Sequence, residues 1–170
     1  MIQIKNAVEL EKMRRACAIS AAALKAGGAA IEPGISTAEI DKIIYDFIVR
    51  HGARPNFLHL YGFPATACIS VNDTVIHGIP SHSQKIRPGD IVSIDTGCKI
   101  DGFNGDNACT FACGKLDKEA QRLLDVTKES LHRGIAAAQA GARIGDIGHA
   151  VQSYVEENGF SVVRAFVGHG

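Results

Sequence analysis

The period of the apolar positions changes twice along the chain. Asn6-Ala-Val-Glu9 has the form of a capping box and opens a helix predicted to run to about Lys25. Ser36-Thr-Ala-Glu39 is a second such box. It starts a helix with Ile40, Ile43, Ile44, Phe47 and Ile48 on one face, and Gly52 stands at its stop. From residue 53 to about 113 the texture differs. Short β-rich runs at Ala67–Val71, Ile91–Ile94 and Ala108–Cys113 are divided by Gly, Pro, Asn and Asp, which predicts strands and hairpins. A helical pattern returns after Asp117, and a further helix is predicted from about Ile144 to Asn158, before Gly159.

Sliding the sequence against itself by 107 positions lays residues 24–52 over residues 131–159. Leu24/Leu131, Gly27/Gly134, Ala29/Ala136, Ala30/Ala137, Gly34/Gly141, Ile40/Ile147 and Gly52/Gly159 are identical. Glu39/Asp146, Ile44/Val151, Phe47/Tyr154 and Ile48/Val155 are similar in kind. One account is a duplicated helix–loop–helix unit; the other is a coincidence of common Gly and Ala. The matched glycine breaks on either side of a matched apolar face favour duplication. The first unit is followed by the strand-rich stretch 53–113, the second by only residues 160–170. If the halves are alike, the second lacks its strands and the chain is incomplete.

Composition narrows the class. In 170 residues, 18 Lys+Arg balance 18 Asp+Glu, which gives no electrostatic reason to expect a nucleic-acid surface or a polybasic membrane contact. Aromatics at 6% without Trp argue against a stacking platform for single strands. A chain of this length forms one core, so residues 1–170 are expected to be a single domain. The N-terminal residues lack the pattern of a signal peptide, and no apolar run reaches membrane-spanning length. Five cysteines, an odd number, then read as reduced thiols in the cytoplasm.

The strongest chemical signal lies in residues 89–111. Asp101-Gly102 is a preferred two-residue type I′ turn, so positions summing to 203 should face each other. Asp106 then opposes Gly97, and Asp95 opposes Ala108. By the period of two, Asp95 and Asp106 project from one side as diagonal neighbours, roughly 7–8 Å apart at the backbone. Two converging carboxylates repel unless one takes a proton or a divalent cation keeps both ionised. The alternative is a solvated pair on an exposed face. His77 sits at a strand end running into Gly78-Ile-Pro80, where its ring could meet a cleft as donor or proton shuttle, or simply be solvated. His169, between two glycines, has the backbone freedom that suits a ligand; a frayed chain end is the other reading.

At these residues the chain resembles the type I methionine aminopeptidases. Val71-Asn-Asp-Thr-Val-Ile-His-Gly-Ile-Pro80, Gly89-Asp-Ile-Val-Ser-Ile-Asp95, Asp101-Gly-Phe-Asn-Gly-Asp106 and Gly168-His-Gly170 follow the family's order and spacing. So do Ile31-Glu-Pro-Gly34 and Gly141-Ala-Arg-Ile-Gly145. The resemblance implies the α+β pita-bread (creatinase/aminopeptidase) fold with two pseudo-symmetric halves, the second incomplete here. It implies a centre of two divalent metal ions (Co, Mn, Fe or Zn) that removes the initiator methionine when the next residue is small. Asp95 matches the chelating aspartate, Asp106 the bridging aspartate and His169 the histidine ligand. His77 matches the histidine that contacts substrate. Phe63 and Cys68 match positions that line the methionine pocket, with Phe57 and Leu60 nearby; Leu60 departs from the polar or aromatic residue often found there. The family's second active-site histidine and two glutamate ligands lie beyond Gly168-His-Gly170. Nascent polypeptide N-termini are the implied partners, with the ribosome as a candidate. Other readings are a proline-directed aminopeptidase of the same fold, or a non-catalytic fragment acting as a binding module.

Overall fold

The computed structural model describes residues 3–165 and Gly168. Where the sequence reading takes residues 1–170 as one domain, the chain groups into two compact units divided between Leu116 and Asp117.

The first unit opens with helix α1, Ala7–Ala29. Its capping box forms as the sequence predicts: Asn6 Oδ1 accepts from the Glu9 N–H at 3.0 Å, and Glu9 accepts from the Asn6 N–H at 2.8 Å. Helix α2, Thr37–Arg50, carries the same device. Ser36 Oγ accepts from the Glu39 N–H at 3.2 Å, and the Glu39 carboxylate accepts from the Ser36 N–H at 2.8 Å. The Ser36 hydroxyl, donating to the Glu39 carboxylate at 2.5 Å, and then the Ser36 N–H, with Lys85 alongside, hold the Glu39 carboxyl down to about 2.

Four strands follow: β1 (Arg54–Pro55), β2 (Ala67–Val71), β3 (Ile91–Ile100) and β4 (Phe103–Ala112). β4 pairs with β3 along its whole length, so β1 and β2 share the other edge of β3 end to end, all antiparallel. Ala67, Ile69 and Val71 of β2 and Val92, Ile94, Cys98 and Ile100 of β3 enter one core with Ala16, Ala23, Leu24, Ile40, Ile44 and Ile48. The helices therefore cover one face of the sheet. Strand β4 crosses α1 at Gly105, where an added Cβ would lie 2.4 Å from the backbone of Ala16. Only glycine permits that approach. Cys68, Cys98 and Cys113 are buried thiols, and Cys17 and Cys109 are exposed thiols.

The second unit consists of α3 (Lys118–Ala137) and α4 (Ile144–Glu157). Helix α4 begins and ends 107 residues after α2. Gly34 and Gly141 have φ of +97° and +89°, and Gly52 and Gly159 have +73° and +77°. Contacts within each pair keep the same spacing. A Cβ on Gly27 would lie 2.7 Å from Ile44 and 3.5 Å from Ile40; one on Gly134 would lie 2.9 Å from Val151 and 3.6 Å from Ile147. Asp146 accepts from the Arg143 N–H at 2.7 Å, as Glu39 does at Ser36. No helix among the described residues is long and apolar enough to cross a membrane.

Candidate metal centre

Asp101 and Gly102 have φ of +52° and +85°, as a type I′ turn requires. The turn sets the register at Ile100↔Phe103, and from there Gly97 faces Asp106 and Asp95 faces Ala108. Asp95 and Gly97 share a face of β3, so the two aspartates stand diagonally on one side, the face turned away from α1 and α2. Asp95 is half-buried and Asp106 exposed. Beside them, Ser93 and Thr110 join their hydroxyls at 2.8 Å across the same strands.

Strand β2 supplies the wall next to Asp95. Cys68 pairs directly with Asp95, on the same face. Burial, and after it the nearby charges of Asp95, Asp106 and Asp41, push the Cys68 thiol up to about 11. The shift favours the neutral thiol, which gives the wall a compact, uncharged group. Asp41 of α2 holds the start of that wall: its Oδ1 accepts from the N–H groups of Thr66 and Ala67 at 2.9 and 2.8 Å. Desolvation drives the Asp41 carboxyl up, and these two bonds oppose the shift.

Gly97 admits two neighbours: Asn56, which the sequence reading did not name, and Phe57, which the resemblance put near the methionine pocket. A Cβ there would lie 3.1 Å from Asn56 Nδ2 and 3.2 Å from the Phe57 ring, and the Asn56 N–H donates to Gly97 O at 2.9 Å. Phe57 is thus laid over the residue that faces Asp106. Phe63 is half-buried, with its carbonyl accepting from the His59 N–H at 2.8 Å. Leu60 lies in a 3₁₀ turn, Leu60–Gly62, and is 49% exposed, so it contributes less to an enclosed wall than Phe57 or Cys68.

His77 follows β2 in an exposed loop and has a left-handed backbone, φ +57°. The next residue ties that loop to the outer edge of β2: the Ile69 N–H donates to Gly78 O at 2.9 Å. The loop and Cys68 are therefore held by one strand. His169 lies outside the described residues.

The model of "Metallopeptidase family M24" matches residues 11–170. This chain belongs to the M24 metallopeptidase family. The methionine aminopeptidase of Clostridium perfringens (strain 13 / Type A) is 49% identical over 170 residues, all of this chain and 68% of the relative. The crystal structure of methionine aminopeptidase from Rickettsia prowazekii superposes with a TM-score of 0.97 at 37% identity, over 100% of this chain and 68% of that one. Aminopeptidase P from Escherichia coli, with the inhibitor Pro-Leu, gives a TM-score of 0.80 at 25% identity, over 91% of this chain and 34% of that one. The architecture is the pita-bread fold of these M24 proteins, over the part that the chain spans.

For an M24 protein the donor set is the test of a metal site. Asp95 and Asp106 are hard oxygen donors on the same face of adjacent strands, a donor type that suits a divalent cation. Among the described residues no group of three His, Cys, Asp or Glu side chains stands ready to hold one. The two aspartates fit as part of a site, and the sequence offers His169 as a further ligand.

Proposed function

We propose that this site removes the N-terminal methionine from nascent polypeptides with a small second residue, in the cytoplasm, with divalent metal ions held by Asp95, Asp106 and His169. The observation that carries this reading is the placement of Asp95 and Asp106 as diagonal neighbours on the sheet face that Cys68 and Phe57 wall. Divalent ions at that point supply Lewis acidity toward the peptide carbonyl and lower the pKa of water. The chain's own side chains do the rest. Cys68, Phe57 and Phe63 supply the neutral, apolar side chains against which the methionine side chain packs, and its burial is worth roughly 1.5–3 kcal/mol. His77 donates a hydrogen bond to the oxygen that gains charge as the peptide bond breaks.

The proline-directed reading has weaker support, since between the Rickettsia prowazekii and Escherichia coli structures identity falls from 37% to 25% and the TM-score from 0.97 to 0.80. The binding-module reading predicts no metal dependence. Metal-loaded complete protein is expected to release methionine from a Met-Ala-Ser peptide and to leave an Xaa-Pro peptide intact. Preference for the Xaa-Pro peptide, or no hydrolysis at any metal concentration, contradicts the proposal. His77→Ala should lower turnover by about 10²–10⁴-fold with metal content unchanged. Metal loss in that variant, with activity restored by excess cation, identifies His77 as a ligand instead.

A further inference from the structure

We infer that Ser70 is the positioning residue for His77, acting through the backbone of Gly78. The inference rests on the reading of His77 as the substrate-contacting histidine. Ser70 is 4% exposed and pairs with Ser93, which puts it on the same face of β2 as Cys68. Its Oγ accepts from the Gly78 N–H at 3.0 Å. Gly78 is also fixed from its other side, because its carbonyl accepts from the Ile69 N–H. Two bonds from consecutive residues of β2 thus clamp both polar groups of Gly78. The approach is as close as the backbone permits: a Cβ on Gly78 would lie 2.2 Å from Ile69 O and 2.9 Å from Ser70 Cα.

The clamp matters because of what precedes it. His77 has a left-handed backbone that residues with side chains rarely adopt without outside support. Val75, Ile76 and Ile79 around it are exposed, so apolar packing of those residues does not supply that support. The peptide unit that joins His77 to Gly78 carries the N–H that Ser70 accepts, so loss of the hydroxyl frees the linkage that orients the imidazole. The Ile69–Gly78 bond remains and keeps the loop on the strand. The expected defect is one of orientation: a loosened catalytic group with the Cys68 wall intact.

The test is a double-mutant cycle in the complete, metal-loaded protein with a Met-Ala-Ser peptide. Ser70→Ala should lower kcat about tenfold and leave KM near its original value, since misplacing a group costs rate before binding. Ser70→Ala added to His77→Ala should cost nothing further. Ser70→Thr, which keeps the hydroxyl, should restore most of the rate. Independently of activity, hydrogen exchange at the Gly78 amide should quicken in Ser70→Ala, with exchange in β3 and β4 unchanged. Wild-type kcat in Ser70→Ala alongside a crippled His77→Ala overturns the proposal and leaves the reading of His77 standing. An equal loss from Ser70→Ala in both backgrounds also overturns it, by showing that Ser70 acts without His77. Wild-type turnover in His77→Ala overturns the reading of His77 and this proposal with it.

Discussion

Helices α1 and α3 occupy matched places in two helix pairs, yet their surroundings are opposite. In the first pair Leu24 is 6% exposed, sealed with the inner face of the four-stranded sheet. Leu131, 107 residues later, is 58% exposed. At Gly28 of α1 the Phe111 ring comes so close that an added Cβ would lie 2.2 Å from it; at the matched place α3 carries Ile135, 61% exposed. The contacts between helices are alike in both pairs, at Gly27 with Ile40 and Ile44 and at Gly134 with Ile147 and Val151. The described residues of the second unit contain no strand. Helix pairing and sheet burial are thus separable. Helix-to-helix packing is written into residues within each pair, whereas burial of the remaining apolar face depends on the 53–113 stretch, which also brings both aspartates.

Truncating the matched leucines breaks or sharpens this comparison most strongly. Leu24→Ala should cost about 2–5 kcal/mol, the range for an enclosed leucine. Leu131→Ala in this chain should stay within about 0.5 kcal/mol, as for an exposed position. Chemical denaturation of both variants measures the difference. A loss of several kcal/mol from Leu131→Ala would mean that α3 has a covered face.

Gly105→Ala probes the helix–sheet contact that the first unit has. The added methyl meets α1 backbone, which cannot rotate aside, so a destabilisation of roughly 1–3 kcal/mol is expected. Gly145→Ala is the control, because nothing lies within 4 Å of a Cβ added there. Equal melting temperatures for the two variants would contradict the close crossing at Ala16.

A smaller effect comes from Asp41. Its carboxyl is raised from the ordinary 3.8 by burial. A raised carboxyl contributes stability that is fully present below the unfolded value and is lost as pH climbs through the folded one. Asp41→Asn keeps an Oδ1 acceptor for the Thr66 and Ala67 N–H groups and carries no charge. Its stability relative to wild type should therefore improve as pH rises above the ordinary carboxylate value of 3.8. A constant difference across that rise would show that Asp41 titrates as an ordinary surface group.

The hairpin was legible because one turn type dictates register, and register with period two dictates which side chains share a face. Both capping boxes were legible for a similar reason, since they act within four residues. Helix α1 runs four residues past the predicted Lys25, and Gly27 and Gly28 in that extension are closed over by Ile44 and Phe111 from distant elements. The same distance hides Asn56 at Gly97 and Ser70 at Gly78. Both are side-chain fits between segments whose spacing in sequence says nothing of their contact. Phe63 and Cys68 came from the resemblance, and Cys68 acquires a physical role only once β2 sets it against Asp95.

The account turns on whether Asp95 and Asp106 meet at one cation. Crystals of the complete protein grown with Mn²⁺, measured for anomalous scattering, test that directly. The predicted result is an anomalous peak coordinated by carboxylate oxygens of both aspartates, on the sheet face of Cys68, and absent in Asp95→Asn/Asp106→Asn. A well-diffracting crystal with both carboxylates solvated and manganese elsewhere or nowhere would contradict it.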